Sequence, residues 1–268
     1  MRDALADPFR IPYGDSPQQF GELHVPPIPG EHPVAVVIHG GFWKAAYGLD
    51  LMRPLCLALA AEGLAVWNIE YRRVGDAGGG WPNTFLDVAA AVDHVGVLAP
   101  LHRLDWTRTV AIGHSAGGHL ALWLAGRRRI KGWPLHSERP LRLAGAVSLA
   151  GVGDLSRASL EGLGGGAVNA LMGGGPAALP ERYGAGSPAA LLPFGIPQVL
   201  VHGSADAIVP FAFGQDYAAL AKVKGDDARL VTIEGAGHFE VIDPAHAAGK
   251  AGVAAVLKLA GMSTRRSA

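Results

Sequence analysis

The sequence predicts an α/β fold, a mostly parallel sheet with helices on both faces. Three observations predict it. Short apolar runs rich in β-branched residues alternate along the chain with longer stretches of helical periodicity. Most of the short runs are apolar at consecutive positions, as strands covered on both sides require. Finally, the 268 residues are 49% hydrophobic and 17% charged, enough apolar material for a sizeable core.

Taken in order, residues 20–25 are polar and alternating, and read as an edge strand. Residues 34–38, 65–69, 109–112, 144–149, 198–201 and 230–233 read as covered strands. The first helix, 49–62, is rich in Leu and Ala and stops at Gly63. In 84–99, Phe85, Val88, Val92 and Val95 form an apolar stripe with Asp87 and Asp93 off it, and Pro100 is expected to end the helix. Residues 116–125, 211–223 and 244–259 complete the set. The chain reads as one domain, 1–268, with a cap or lid insertion at about 151–190. Its centre, 151–186, holds two Gly-Gly-Gly triplets and little periodicity, so it is expected to be a structure-poor, mobile cap. A short helix or two fits within 160–172.

The 38 glycines and 19 prolines, about a fifth of the chain, imply many tight turns. They lack the Gly-X-Y period of collagen and fall short of low-complexity composition. Lys+Arg and Asp+Glu both number 23, which gives no general attraction to nucleic acid or an anionic membrane. The single cysteine, Cys56, excludes an intrachain disulfide and a thiolate zinc site. Residues 1–19 carry charges and prolines without the apolar centre of a signal peptide. The apolar stretches around 54–67 and 143–152 are shorter than the roughly 18 residues of a membrane span, or are interrupted by Glu62. The expectation is a soluble, cytoplasmic protein without membrane insertion.

The chemistry concentrates at the ends of strands. Gly113-His114-Ser115-Ala116-Gly117-Gly118 follows one strand and opens a helix, the setting of a nucleophile elbow. A sharp turn there would lift the Ser115 hydroxyl out of the sheet and aim the first helical amides at the reacting atoms. A hydroxyl nucleophile needs a base, and the base needs an orienting carboxylate. Asp206 lies in His202-Gly203-Ser204-Ala205-Asp206, after the strand at 198–201. His238 lies in Gly235-Ala236-Gly237-His238-Phe239, after the strand at 230–233. Three parallel strands would deliver Ser115, Asp206 and His238 to one sheet edge. His39-Gly40-Gly41-Phe42-Trp43 follows the strand at 34–38, and the amides of Gly41, Phe42 and Ala116 are candidates for an oxyanion hole. His39 is read as a loop-bracing hydrogen-bonder rather than a second base. Trp43 is either a core anchor or an acyl-pocket wall.

With these residues in place the chain resembles the α/β-hydrolase superfamily, specifically its serine esterase and arylformamidase-like branch. The resemblance runs from about residue 20 to 259. It rests on the motifs around Gly41 and Ser115 together with Asp206 and His238. The first segment is similar to the H-G-G-x-W motif of kynurenine formamidases and related carboxylesterases, and differs from H-G-G-G by Phe42. Ser187-Pro188 and Ile196-Pro197 also look like this group, which is similar in turn to the catalytic domain of prolyl-oligopeptidase-type peptidases.

Trp43, Tyr71, His114 and Phe239 are candidate pocket residues. His119 and Trp123 share one helix face and read as core. Arg127-Arg128-Arg129 with Lys131 follows a helix C-terminus, where cations are favourable, and reads as a solvated end rather than a nucleic-acid site. The histidines lack metal-ligand spacing, and the glycine triplets lack the Lys-Ser/Thr of a phosphate loop, so no metal and no cofactor are expected. The function read from these residues is a carboxylesterase acting on a small or aromatic ester through an acyl-enzyme. The alternatives are an arylformamidase and a catalytically silent ligand-binding module. The partner expected is therefore a small-molecule ester or amide, and oligomeric state is unreadable.

Overall fold

The computed structural model describes residues 7–132 and 134–263; the first six residues of the N-terminal stretch read above lie outside it. Among the described residues the strands form one eight-stranded sheet. They are β1 (Phe9–Pro12), β2 (Phe20–His24), β3 (His32–Ile38), β4 (Ala65–Ile69), β5 (Leu104–His114), β6 (Gly145–Leu149), β7 (Gln198–Gly203) and β8 (Ala228–Ile233). Their spatial order is β1-β2-β4-β3-β5-β6-β7-β8, parallel from β4 onward and antiparallel on either side of β2. This is the predicted mostly parallel α/β sheet.

Period-two alternation in β3 divides the core. Val34, Val36 and Ile38 face one layer and Ala35 and Val37 the other. The first layer is covered by α2 (Asn83–Asp93), α3 (Val95–His102) and α4 (Ala116–Gly126), through Phe85, Val88, Leu98 and Leu120. The second is covered by α1 (Arg53–Ala61) and α10 (Ala247–Leu259), through Leu55, Leu59, Val256 and Leu257; α9 (Ala212–Val223) packs Tyr217 and Ala221 against Leu200 of β7. Every residue of α4 is buried, as its all-round apolar sequence requires.

The structure corrects four expectations. Residues 20–24 are not the sheet edge, because β1 pairs outside them. Phe-Arg-Ile-Pro is too short and too exposed to carry a periodic signal. The stretch 84–99 is two helices broken at His94, and Pro100 lies inside α3 rather than ending it. Pro100 has no N–H for the Gly96 carbonyl, a loss that α3 tolerates one turn from its end. By length and composition Asn83–His102 could cross a membrane, which the apolar runs noted above did not reveal; here half of it is buried and its stripe packs on the sheet. Asp87, off the stripe, is buried and binds Arg72 and Gln19.

The fourth correction concerns the glycine-rich insertion. Residues 151–186 hold α5 (Leu155–Leu160), α6 (Ala167–Met172) and α7 (Pro180–Gly186), followed by α8 (Pro188–Leu191). Leu155, Ala158, Val168, Leu171, Met172 and Tyr183 pack into the main core. The Ala185 and Gly186 carbonyls accept hydrogen bonds from Trp123 and His119 on α4. A structure-poor segment could not bury these side chains or pair these backbone groups. The helices are six or seven residues long, too short for their periodicity to stand out among the glycines.

Candidate active site

The sheet reverses direction at β3. From β3 the chain first crosses to β4 on one side, then to β5 on the other. A crevice opens beyond the carboxyl ends of strands at such a switch point. Ile38 is in register with Gly113, so the loops after β3 and β5 emerge side by side. Glycine makes their contact possible. A Cβ on Gly40 would lie 2.8 Å from the His114 carbonyl oxygen and 3.1 Å from the Ser115 Cβ, and one on Gly117 would collide with the Ile38 and His39 carbonyl oxygens. The segment carrying Gly41 and Phe42 is thereby pressed against the elbow.

Ser115 adopts φ 54°, ψ −115°, a conformation disfavoured for any residue with a Cβ, and immediately precedes α4. Its own N–H is tied to the Leu149 carbonyl at 2.8 Å. The next amide, that of Ala116, therefore stands at the N-terminus of a buried helix, where the dipole favours negative charge. Gly41, Phe42 and Trp43 have φ of 106°, 51° and 55°, a run of left-handed conformations that coils the backbone tightly just after Gly40.

Asp206 and His238 meet from the ends of β7 and β8. The His238 Nδ1 lies 2.7 Å from Asp206 Oδ2. Asp206 Oδ1 accepts the amides of Ile208 and Val209 at 2.8 and 2.9 Å. His202, which the sequence reading quoted without assigning a role, lies 3.4 Å from Oδ2 and donates from Nε2 to the Val209 carbonyl. Burial pushes the Asp206 carboxyl upward, but the hydrogen bonds from His202, His238 and Ile208 prevail and hold it far below the usual carboxylate range. An ionised Asp206 accepts from His238 Nδ1 and leaves Nε2 as the basic nitrogen.

Of the four candidate pocket residues, only Phe239 is open to solvent; it is 55% exposed and packs beside His238. Trp43 and Tyr71 are fully buried and so present no surface to a ligand here. Trp43 meets His119 edge-on within the core. Tyr71 donates to the His39 carbonyl and stacks on the His39 ring. His114 is also buried, and donates from Nε2 to the His238 carbonyl at 2.9 Å. It ties the elbow to the His238 loop instead of lining a pocket. A cleft of about 480 Å³ lined by Trp81, Arg129, Pro134, Glu181 and Arg182 contains none of the site residues. Among the described residues no group of three or more His, Cys, Asp or Glu side chains could hold a metal ion.

One residue escaped the sequence reading altogether. Glu70, just past β4, receives the His39 Nε2 at 2.7 Å, the amides of Leu49 and Tyr71, and Arg73 at 3.1 Å. An acidic residue directly after an apolar strand, at the edge where the other loops emerge, is the signal that could have found it.

Two buried histidines link this site to stability. Burial, aided by His238, lowers His114 to about 3, and burial lowers His119 to about 4. The unfolded chain binds these protons near the ordinary value of about 6.5 and the folded chain does not. Stability contributed by the neutral rings is complete above that pH and declines below it, by up to about 1.4 kcal/mol per pH unit for each histidine. The urea midpoint should fall steadily from pH 6.5 to 4 with an unchanged m-value. A flat profile would remove both histidines from the buried neutral set.

The sheet order and its covering helices are those of the α/β-hydrolase fold. The BD-FAE family model matches residues 22–219, and the chain belongs to that family. Among solved structures, a truncated carbohydrate esterase from gut microbiota superposes with a TM-score of 0.82 at 19% identity, covering 97% of this chain and 99% of that one. Esterase B from Lactobacillus rhamnosis gives a TM-score of 0.80 at 20% identity, covering 97% and 88%. The propionate-bound thermophilic esterase Est2 of Thermogutta terrifontis gives 0.75 at 23% identity, covering 93% and 92%. Comparison with curated proteins finds no match.

Proposed function

We propose that this protein is a serine esterase that cleaves small or aromatic carboxylic esters through an acyl-enzyme. The observation that carries the reading is the 2.7 Å Asp206–His238 pair, held at the same sheet edge as the strained Ser115 at the start of α4. His238 Nε2 takes the Ser115 proton as Oγ attacks the ester carbonyl. The Ala116, Gly41 and Phe42 amides stabilise the oxyanion, each worth about 2.7–4 kcal/mol in such sites. The imidazolium returns its proton to the departing alkoxide, leaving Ser115 acylated. Water then attacks, giving a proton to His238, and Ser115 leaves with that proton as the acid is released. Asp206 stabilises the imidazolium in both halves.

The similarity to esterases in fold supports the ester class, and the His39-Gly40-Gly41-Phe42-Trp43 segment is what places an aryl formamide second. The discriminating experiment combines fluorophosphonate labelling with a substrate panel. The probe should add to the Ser115 peptide, and kcat/KM should be higher for p-nitrophenyl acetate than for N-formylkynurenine. The reverse order would make the protein an arylformamidase. A folded protein that takes no label would be a ligand-binding module.

A further inference from the structure

The His39 ring is fully buried, and both of its nitrogens face oxygen acceptors. Nδ1 lies 2.7 Å from the Gly40 carbonyl and Nε2 lies 2.7 Å from Glu70 Oε1. A carbonyl oxygen has no proton to give, so Nδ1 must carry one. At Nε2 the proton could sit on either partner. Glu70 already accepts the Leu49 and Tyr71 amides and faces the Arg73 guanidinium at 3.1 Å, surroundings that suit a carboxylate and not a carboxylic acid. The second proton therefore belongs to the ring. Tyr71 stacks on that ring at 4.5 Å and 15°, a favourable face for a cation. The remaining charges are arranged around this pair. Arg73 and Asp76 stand behind Glu70, and His114 lies on the far side of Gly40.

We propose that His39 is held as an imidazolium, and that in this form it sets the orientation of the Gly40–Gly41 peptide for oxyanion binding. On the serine esterase reading, His39 and Glu70 are thus positioning residues. The carbonyl and N–H of a trans peptide point in opposite directions. Holding the Gly40 carbonyl toward His39 turns the Gly41 N–H away from His39, in a loop whose Gly40 packs against Ser115. A neutral ring would set a lone pair against an oxygen at 2.7 Å, either at Gly40 or at Glu70. Because the carboxylate is the stronger acceptor, the ring would keep Nε2–H and release Gly40.

The direct test is 15N NMR of the histidine-labelled full chain, with the His39 ring assigned through its contacts to Tyr71. Both ring nitrogens should carry protons at pH 7, and Glu70→Gln should reduce this to one. The kinetic test compares two substitutions. His39→Asn places an amide N–H where Nδ1–H lies and can keep Gly40 while losing Glu70. His39→Gln reaches Glu70 and loses Gly40. On p-nitrophenyl acetate, His39→Gln should lower kcat about 100-fold at nearly constant KM, as loss of one oxyanion donor does. His39→Asn should retain most of the activity. A ring with a single proton in the wild-type protein, or equal losses in both variants, overturns the proposal. Absence of esterase activity in the wild type would instead sink the functional reading, leaving the ring's protonation to be decided by its own spectrum.

Discussion

Ser115→Ala should lower kcat for p-nitrophenyl acetate by about a million-fold, with KM little changed. The substitution removes one oxygen and leaves the Cβ, so the cost of φ 54° is the same in both proteins and the unfolding midpoint should not move. What survives is turnover by water, aided by the oxyanion amides and the bound geometry, about 10³–10⁴-fold above solution. Stopped-flow and long-time hydrolysis assays with intact-mass analysis would measure both the loss and the absence of an acyl-enzyme. A variant retaining more than a tenth of the wild-type rate would take Ser115 out of the mechanism.

Asp206→Asn should cost about 10⁴-fold in kcat, because it spoils the base without moving it. The Asn carbonyl can keep the Ile208 and Val209 amides that Oδ1 accepts now. Its NH₂ then replaces Oδ2, facing His238 Nδ1 and His202. A donor opposite Nδ1 favours the tautomer with its proton on Nε2, which can no longer take the Ser115 proton. Fluorophosphonate labelling should slow in parallel with turnover. The stability effect has a defined sign. The folded Asp206 carboxyl lies below its ordinary value of about 3.9, so its contribution is present above that pH and lost as the pH falls beneath it. The Asn variant should be less stable at neutral pH, and the difference should shrink on acidification. Unchanged activity in this variant would place the acid elsewhere.

Most of the sheet was legible because buried parallel strands need unbroken apolar runs, and those runs stand out between helices. The elbow was legible because glycine at 113, 117 and 118 around a serine has few other uses at a strand-to-helix turn. β1 was not, since an exposed four-residue strand has no buried face to mark it. The helices of the insertion were hidden among glycines, whose freedom normally signals loop. The pairing of Asp87 with Arg72 was not legible, because an acidic residue off an apolar stripe carries no mark in sequence of the partner it meets in the fold.

By itself the sequence determined the alternation of strands and helices and the three loops that carry Ser115, Asp206 and His238. Chain order and parallel pairing suffice to bring those loops to one edge. Only the tertiary structure decided that Trp43, Tyr71 and His114 face inward, and that Glu70 pairs with His39 at the start of the loop after β3. The reason is physical. Periodicity reports which face of an element is apolar, whereas His39 meets Glu70 across 31 residues and His114 meets His238 across 124. Contacts at that separation are set by how the sheet reverses at β3 and by where glycine lets two backbones touch.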